Sequence, residues 1–214
     1  MNDLKTLLNV RETLDDFLRE DVGTGDVTSN SIIPADLKSK AEIVSKSRLT
    51  VVCGLEEASM LFEICGCRSK ILVNEGTTVP RGTAVMRVAG NARSILRAER
   101  TALNIIMRMS GIATETRRLV NRARGITILA TRKTAPGLRY FDKKAVVLGG
   151  GAAHRMRLDD MVLIKDNHLV LTSDVGKAIR LARENVGSSI KVECEARTRE
   201  EALAAVAAEA DIVM

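Results

Sequence analysis

Cationic side chains follow short apolar runs at two points of the chain. Arg132 and Lys133 come just after one such run, and Lys165 comes directly after another. Arg can bind a carboxylate or phosphate through two parallel hydrogen bonds, whereas Lys acts as a compact positive charge. Gathering such cations is costly unless an anion compensates them. The pattern therefore predicts a site for a dicarboxylate and a polyphosphate. A solvated basic surface is the alternative, and it is the expected setting of the arginines at 117, 118, 197 and 199.

The two histidines of the chain, His154 and His168, lie among further basic residues. Each histidine alone is more often structural than catalytic. Arg155 beside His154 favours an anion-binding role for this segment. Glu195, at the end of a third apolar run, could supply a carboxylate to magnesium carried by a bound polyphosphate. An ordinary charge at the end of a strand is the alternative interpretation of Glu195.

The glycine run 149–151 does not match a nucleotide-binding motif. A dinucleotide fingerprint that starts at Gly149 would need glycine where the chain has His154, and the sequence contains no GxxxxGK[ST] motif. The run instead predicts a tight turn or a close approach of the backbone.

Composition indicates a globular protein with anionic partners. Of 214 residues, 45% are hydrophobic and 28% charged, and the formal net charge is +6. No apolar run approaches the ~20 residues of a membrane span, and the N-terminus lacks a signal peptide's apolar region, so we expect a cytoplasmic protein. Aromatic residues make up only 2%, which disfavours a stacking platform for single-stranded nucleic acid.

The four cysteines have no regular spacing. Cys65 and Cys67 are too close together for the usual CxxC zinc motif. Buried thiols in a reducing compartment are the favoured interpretation.

Hydrophobic periodicity predicts the elements that must position these residues. It indicates a helix over residues 3–19, with the apolar stripe Leu4/Leu7/Leu8/Leu14/Phe17/Leu18, followed by a structured loop. It also indicates an α+β region over 39–90 with a helical segment at Leu55–Ile64, and a long helix from Ala92. After Gly125, strands alternate with helices, which predicts parallel βαβ units that bind ligands at the carboxyl ends of their strands. The predicted buried helix faces are Ile95/Leu96/Leu103/Ile106/Met107, Val175/Ala178/Ile179/Ala182 and Ala202/Leu203/Val206/Ala207.

Five segments in chain order together resemble the quinolinate phosphoribosyltransferase family. They are EDVGTGDVTS (20–29), ERTALNIIMRMSGIAT (99–114), TRKTAPGLR (131–139), GGGAAHRMRLDDMVLIKDNH (149–168) and KVECE (191–195). The resemblance implies an α/β fold, with an N-terminal α+β sandwich-like domain over residues 1–108 and an incomplete (β/α) barrel of the type II phosphoribosyltransferase kind over 109–214.

The resemblance also implies an activity, that of a carboxylating nicotinate-nucleotide pyrophosphorylase, which is a pentosyltransferase. The phosphoribosyl group of phosphoribosyl pyrophosphate passes to the ring nitrogen of quinolinate, with loss of pyrophosphate and CO2. The product is nicotinate mononucleotide for NAD biosynthesis, and Mg²⁺ is the implied cofactor. Neither nucleic acid nor membrane is an implied partner.

The resemblance assigns roles to matching positions. Arg132, Arg155 and Lys165 match residues that hold the quinolinate carboxylates, with His154 beside them. Thr131 and Lys133 match positions near the substrate and pyrophosphate, and Glu195 matches the acidic residue near ribose and magnesium. The resemblance implies that the catalytic residues are Lys133, Lys165 and Glu195.

Arg100 matches an arginine that reaches the site from a neighbouring subunit, so a homodimer or homohexamer is expected. The choice between these two assemblies stays open, as do the roles of Arg139, His168 and the cysteines.

The family's barrel continues beyond the strand in which this chain stops, so we expect a longer parent protein. Two alternatives to the transferase stay open. One is the relative of the same fold associated with molybdenum transport. The other is a non-enzymatic module that binds anions or nucleic acid.

Overall fold

The computed structural model describes residues 10–172 and 174–214. One compact unit runs through His154, and a second extends from Arg155 to Met214. The predicted domain boundary between residues 108 and 109 stays a prediction. The helix Ala92–Arg122 passes through this point without a break. No helix within the described ranges is both long and apolar enough to cross a membrane.

The first unit begins with a helical and antiparallel region. Its elements are α1 (Val10–Val22), α2 (Val27–Ile32), β1 (Lys38–Val44), β2 (Leu49–Val51), α3 (Leu55–Ile64), β3 (Arg68–Ile71), β4 (Thr78–Pro80) and β5 (Ala84–Asn91).

Helix α1 confirms the described part of the predicted N-terminal helix. Leu14 and Leu18 are buried, and Phe17 packs against the same core. The predicted positions Leu4, Leu7 and Leu8 lie outside the described residues. The helix thus buries the apolar stripe that its periodicity predicts.

The segment after α1 was predicted to be a structured loop, and its second half is helical instead. Asp26 caps α2 by accepting a hydrogen bond from the Ser29 backbone N–H at 2.9 Å. Asp is among the preferred N-cap residues, so this short helix had a local signal that periodicity could not detect.

The strands of this region form two antiparallel sheets. One has the order β1-β5-β3, and the other pairs β2 with β4. Helix α3 coincides with the predicted segment Leu55–Ile64. The sheets, α1 and α3 share one apolar core with the long helix that follows.

That long helix, α4, spans Ala92–Arg122. Ile95 and Ile106 are buried as predicted, but Leu96 and Met107 are 43% and 55% exposed. Small residues including Ala98 and Ala102 complete the buried face. The predicted face therefore mixed two sides of the helix about 100° apart, because neighbouring residues differ by that angle.

The rest of the first unit contains β6 (Leu129–Ala130), α5 (Arg139–Leu148) and β7 (Ala152–Ala153), with β6 and β7 parallel. The glycine run between α5 and β7 makes the predicted close approach. A Cβ on Gly149 would lie 2.6 Å from the Thr116 Cβ and 2.7 Å from the Ala113 carbonyl oxygen. Glycine there lets α5 pack closely against α4.

The second unit is a parallel α/β arrangement, as predicted. Its sheet has the order β10-β9-β8. The elements are β8 (Val162–Ile164), α6 (Asp166–Thr172), α7 (Val175–Asn185), β9 (Val192–Cys194), α8 (Arg199–Ala207) and β10 (Ile212–Val213).

One of the two predicted helix faces in this unit is correct. Val175, Ala178 and Ile179 of α7 are buried. In α8 the prediction was wrong, since Leu203 and Val206 are 59% and 63% exposed and small alanines face the core instead. Periodicity alone assigned the larger apolar residues of α8 to the core, whereas in the structure the small alanines of this helix pack there.

Candidate active site

In the first unit, two neighbouring parallel strands end next to predicted site residues. Ala130 of β6 pairs with Ala153 of β7. Thr131 and His154 therefore leave the sheet side by side, and the His154 N–H donates to the Ala130 carbonyl at 3.2 Å. The carboxyl ends of parallel strands are where such folds place their ligands.

The segment after β6 forms a tight turn. The Lys133 N–H donates to the Thr131 hydroxyl oxygen at 3.2 Å, and the Thr134 N–H donates to the Arg132 carbonyl at 2.9 Å. Arg139, whose role the sequence left open, donates from Nε to the Thr134 hydroxyl at 3.3 Å. These bonds fix the backbone from which the Arg132 and Lys133 side chains project.

Arg132 carries an unsatisfied donor. Its Nε is buried and has no hydrogen-bond partner among the described residues. A buried donor on a charged group costs free energy unless an acceptor reaches it. An anionic ligand would supply that acceptor, so this atom supports the predicted anion site.

In the second unit, the strands β8 and β9 repeat the arrangement. Ile164 pairs with Cys194, so Lys165 and Glu195 follow side by side. The Glu195 N–H donates to the Ile164 carbonyl at 2.9 Å, and Lys165 Nζ lies 3.2 Å from Glu195 Oε1. The two side chains are 40% and 29% exposed, which leaves the pair accessible to a ligand.

Glu195 is more exposed than Glu193, the glutamate within β9. Glu193 is 3% exposed within β9, whereas Glu195 lies just past the strand end. This placement supports the assignment of Glu195, rather than Glu193, to the site.

His168 supports the backbone of Lys165. Its Nδ1 accepts a hydrogen bond from the Lys165 N–H at 2.9 Å. In the neutral imidazole that makes this bond, the proton lies on Nε2. His168 therefore holds the turn between β8 and α6, a role that its position in the sequence did not reveal.

Arg155 begins the second unit and is held by the loop that follows it. Its Nη1 donates to the Met161 carbonyl at 2.9 Å. Within that loop, the Met156 N–H donates to Asp160 Oδ2 at 2.5 Å. The guanidinium of Arg155 is thus held beside the entry to β8.

Helix α5 connects the turn after β6 to His154, and a buried ionic cluster fixes it. Lys144, 1% exposed, contacts Glu56, Glu57 and Glu75 at 2.8–2.9 Å, and the Tyr140 hydroxyl donates to Glu57 at 3.2 Å. Burial lowers the pKa of Lys144, but the carboxylates of Glu57 and Glu75 outweigh it and hold that pKa above its usual value. Sequence reasoning missed this cluster, because its members lie far apart in the chain.

Two arginines attach α5 to α4. Arg108 forms a bidentate pair with Asp142, at 2.7 and 2.9 Å. Arg117 donates to the carbonyls of Gly149 and Leu148 at 2.8 and 3.1 Å, and so satisfies the C-terminal end of α5. The expectation that Arg117 belongs to a solvated basic face was therefore wrong.

Arg100 lies on the exposed side of α4, within an apolar stripe. Leu96, Leu103 and Met107 occur at helical spacing on the same side of the helix as Arg100. These three apolar side chains also line a groove of about 1040 Å³ between α4 and the β1 edge of its sheet. An exposed apolar surface of this kind is typical of a protein contact.

The cysteines are free thiols. Cys53, Cys67 and Cys194 are buried, and Cys65 is half-buried. Burial raises the pKa of all four thiols, which keeps them protonated and unreactive at neutral pH.

The described residues contain no group of three or more His, Cys, Asp or Glu side chains that could hold a metal ion. Glu195 instead suits a metal site in which the protein supplies few of the ligands. Mg²⁺ commonly binds through one or two carboxylates together with substrate phosphates. The predicted metal role of Glu195 thus requires a phosphorylated ligand.

Both halves of the chain match models of one protein family. The model for the N-terminal domain of quinolinate phosphoribosyl transferase matches residues 26–110, and the model for its C-terminal domain matches residues 112–214.

Curated relatives agree with this match. The probable nicotinate-nucleotide pyrophosphorylase (carboxylating) of Methanothermobacter thermautotrophicus is 43% identical over 93% of this chain and 72% of its own length. The corresponding protein of Methanocaldococcus jannaschii is 44% identical over 92% of this chain and 70% of its own length.

Solved structures share the fold. NadC from Streptococcus pyogenes superposes with a TM-score of 0.91 at 34% identity, covering 96% of this chain and 74% of that one. The nicotinate-nucleotide pyrophosphorylase from Francisella tularensis superposes with a TM-score of 0.89 at 35% identity, covering 100% of this chain and 75% of that one. The fold is thus the N-terminal α+β domain and α/β barrel segment that the sequence predicted, and the chain belongs to the quinolinate phosphoribosyltransferase family.

Proposed function

We propose that this chain transfers the phosphoribosyl group of phosphoribosyl pyrophosphate to the ring nitrogen of quinolinate. Pyrophosphate and CO2 leave, and nicotinate mononucleotide is the product. The observation that carries the proposal is the Lys165–Glu195 pair, which sets an accessible cation and carboxylate at the ends of adjacent strands in a chain of this family. We further expect the protein to act in the cytoplasm.

Recognition of quinolinate requires cations for its two carboxylates. Arg132, Arg155 and Lys165 would supply them, with His154 beside the ring. The buried Nε of Arg132 supports this role, because a carboxylate oxygen would satisfy it. The protein's main task is to orient the dicarboxylate with its nitrogen toward the ribose carbon.

Glu195 would act on the ribose. Loss of pyrophosphate gives an oxocarbenium-like transition state, and a nearby carboxylate stabilises its positive charge. Lys133 is exposed on the turn after β6, where its ammonium can balance charge on the departing pyrophosphate.

Decarboxylation needs no further base. Once the ring nitrogen carries the ribose, its positive charge stabilises the electron pair that the departing carboxylate leaves on the ring carbon. That carbon then takes up a proton from solvent. Lys165 and the arginines then serve by holding the substrate in place.

Magnesium would enter with phosphoribosyl pyrophosphate and bind Glu195. When bound, the ion would neutralise negative charge on the pyrophosphate group. One accessible carboxylate such as that of Glu195 suffices for such a substrate-borne ion.

A homo-oligomer would complete the site. Arg100 projects from an exposed apolar stripe, which supports a contact with a second copy in which Arg100 reaches the neighbour's substrate.

Titration calorimetry with quinolinate and nicotinate tests the proposed substrate. Nicotinate lacks one carboxylate, so it should bind at least about tenfold more weakly than quinolinate, since it leaves site cations without a partner. Equal affinities would contradict the proposal. High affinity for duplex DNA with steep salt dependence, and none for quinolinate, would favour the non-enzymatic alternative.

A further inference from the structure

Helix α5 carries two adjacent buried lysines with different partners. Lys144 belongs to the carboxylate cluster described above. Lys143 is 0% exposed, and its Nζ donates to the carbonyl oxygen of His154 at 2.5 Å. Burying an ammonium is costly, so a lysine at this position must gain specific interactions in return.

The contact of Lys143 fixes the backbone at His154. The N–H of His154 donates to the Ala130 carbonyl at 3.2 Å, and its carbonyl accepts from Lys143. Both polar groups of this residue's backbone are therefore bonded within the first unit. Because a peptide group is planar, the same contact also fixes the plane of the bond that joins His154 to Arg155.

The helix that carries Lys143 is itself firmly placed. The Arg108–Asp142 pair binds it to α4, and Lys144 binds it to Glu57 of α3. Lys143 therefore links His154, at the carboxyl end of β7, to a helix that two ion pairs hold in place. A charge-assisted hydrogen bond is well suited to this task, because it is stronger than a neutral one.

We propose that Lys143 is a positioning residue for quinolinate, acting through the backbone of His154. This inference rests on the proposed function, since it assumes that His154 lies beside the bound dicarboxylate. Lys143 itself would not contact the substrate. Its loss should weaken quinolinate binding while leaving KM for phosphoribosyl pyrophosphate largely unchanged.

The test compares Lys143→Met and Lys143→Gln with Arg108→Gln. Met keeps the length of the side chain but removes the donor, whereas Gln keeps a shorter, neutral donor. Arg108→Gln is the matched control, because it also loosens α5 yet breaks no contact to His154. Quinolinate affinity is measured by calorimetry, and KM for each substrate by steady-state kinetics.

We expect Lys143→Met to weaken quinolinate binding about tenfold, because losing a hydrogen bond donated by a charged group commonly costs at least that much. Lys143→Gln should weaken it less, and the control should leave it within about twofold. KM for phosphoribosyl pyrophosphate should stay within about twofold in all three variants. If Lys143→Met does not fold, Lys143→Gln carries the comparison with the control.

Two results would overturn the inference. One is unchanged quinolinate affinity in the Lys143 variants, and the other is a loss no greater than that of Arg108→Gln. Failure of the unaltered protein to bind quinolinate would instead contradict the proposed function, so the two failures are distinguishable.

Discussion

The ammonium of Lys165 lies 3.2 Å from the carboxylate of Glu195, across the ends of two neighbouring parallel strands. Their partial exposure makes this pair a weak contributor to stability, since such ion pairs are typically worth about 0–1 kcal/mol. Its value should therefore lie in catalysis.

Lys165→Ala should lower turnover of quinolinate by about 10²–10³-fold, because it removes a cation from the reacting substrate. The melting temperature should change little. Arg183→Gln is the control, since it breaks another half-exposed ion pair of the same unit, with Asp211. Near-normal kinetics of Lys165→Ala would refute its assignment.

Arg100→Ala should abolish activity, yet its activity should return when it is mixed with Lys165→Ala. If Arg100 acts across an interface, a hybrid dimer contains one site with both native residues. Random exchange of subunits should then restore about 25% of the unaltered activity, since half the dimers are hybrids with one working site each. A mixture that stays inactive after subunit exchange would place Arg100 in its own subunit's site or outside the site.

Met107→Glu should weaken self-association, because it places a charge in the exposed stripe that contains Arg100. Leu119→Glu is the matched control, as Leu119 is similarly exposed on the same helix but faces another direction. Light scattering after size exclusion measures the mass of each variant. Equal oligomeric states for the two variants would show that the stripe is not a subunit contact.

Lys144→Met should lower the free energy of unfolding by about 3–5 kcal/mol, because it leaves buried carboxylates without their counter-ion. Urea denaturation at a fixed protein concentration measures this change. Adding Glu57→Gln to the variant should recover part of the loss, since it removes one of the stranded charges. A loss below about 1 kcal/mol would mean that the cluster is far less important than its burial indicates.

Sequence predicted well those features that depend on local pattern. The bounds of α3 and the buried face of α7 follow from apolar periodicity. The close approach at Gly149 follows from the glycine run, and the positions of Lys165 and Glu195 after their strands follow from the alternation of strands and helices.

The features that sequence did not predict depend on contacts between distant residues. Lys144 meets Glu57 only once α5 packs on α3, and Arg117 of α4 reaches the C-terminal end of α5 only once these two helices pack together. Leu203 of α8 was wrongly placed in the core, because a composition rich in alanine gives the periodicity little contrast.

The most direct measurement follows the conversion of quinolinate itself. The protein is incubated with Mg²⁺, phosphoribosyl pyrophosphate and quinolinate labelled in the carboxyl group next to the ring nitrogen. Released labelled CO2 and nicotinate mononucleotide are then quantified. The proposed function predicts equal amounts of both products and none without phosphoribosyl pyrophosphate, whereas absence of the mononucleotide would contradict it.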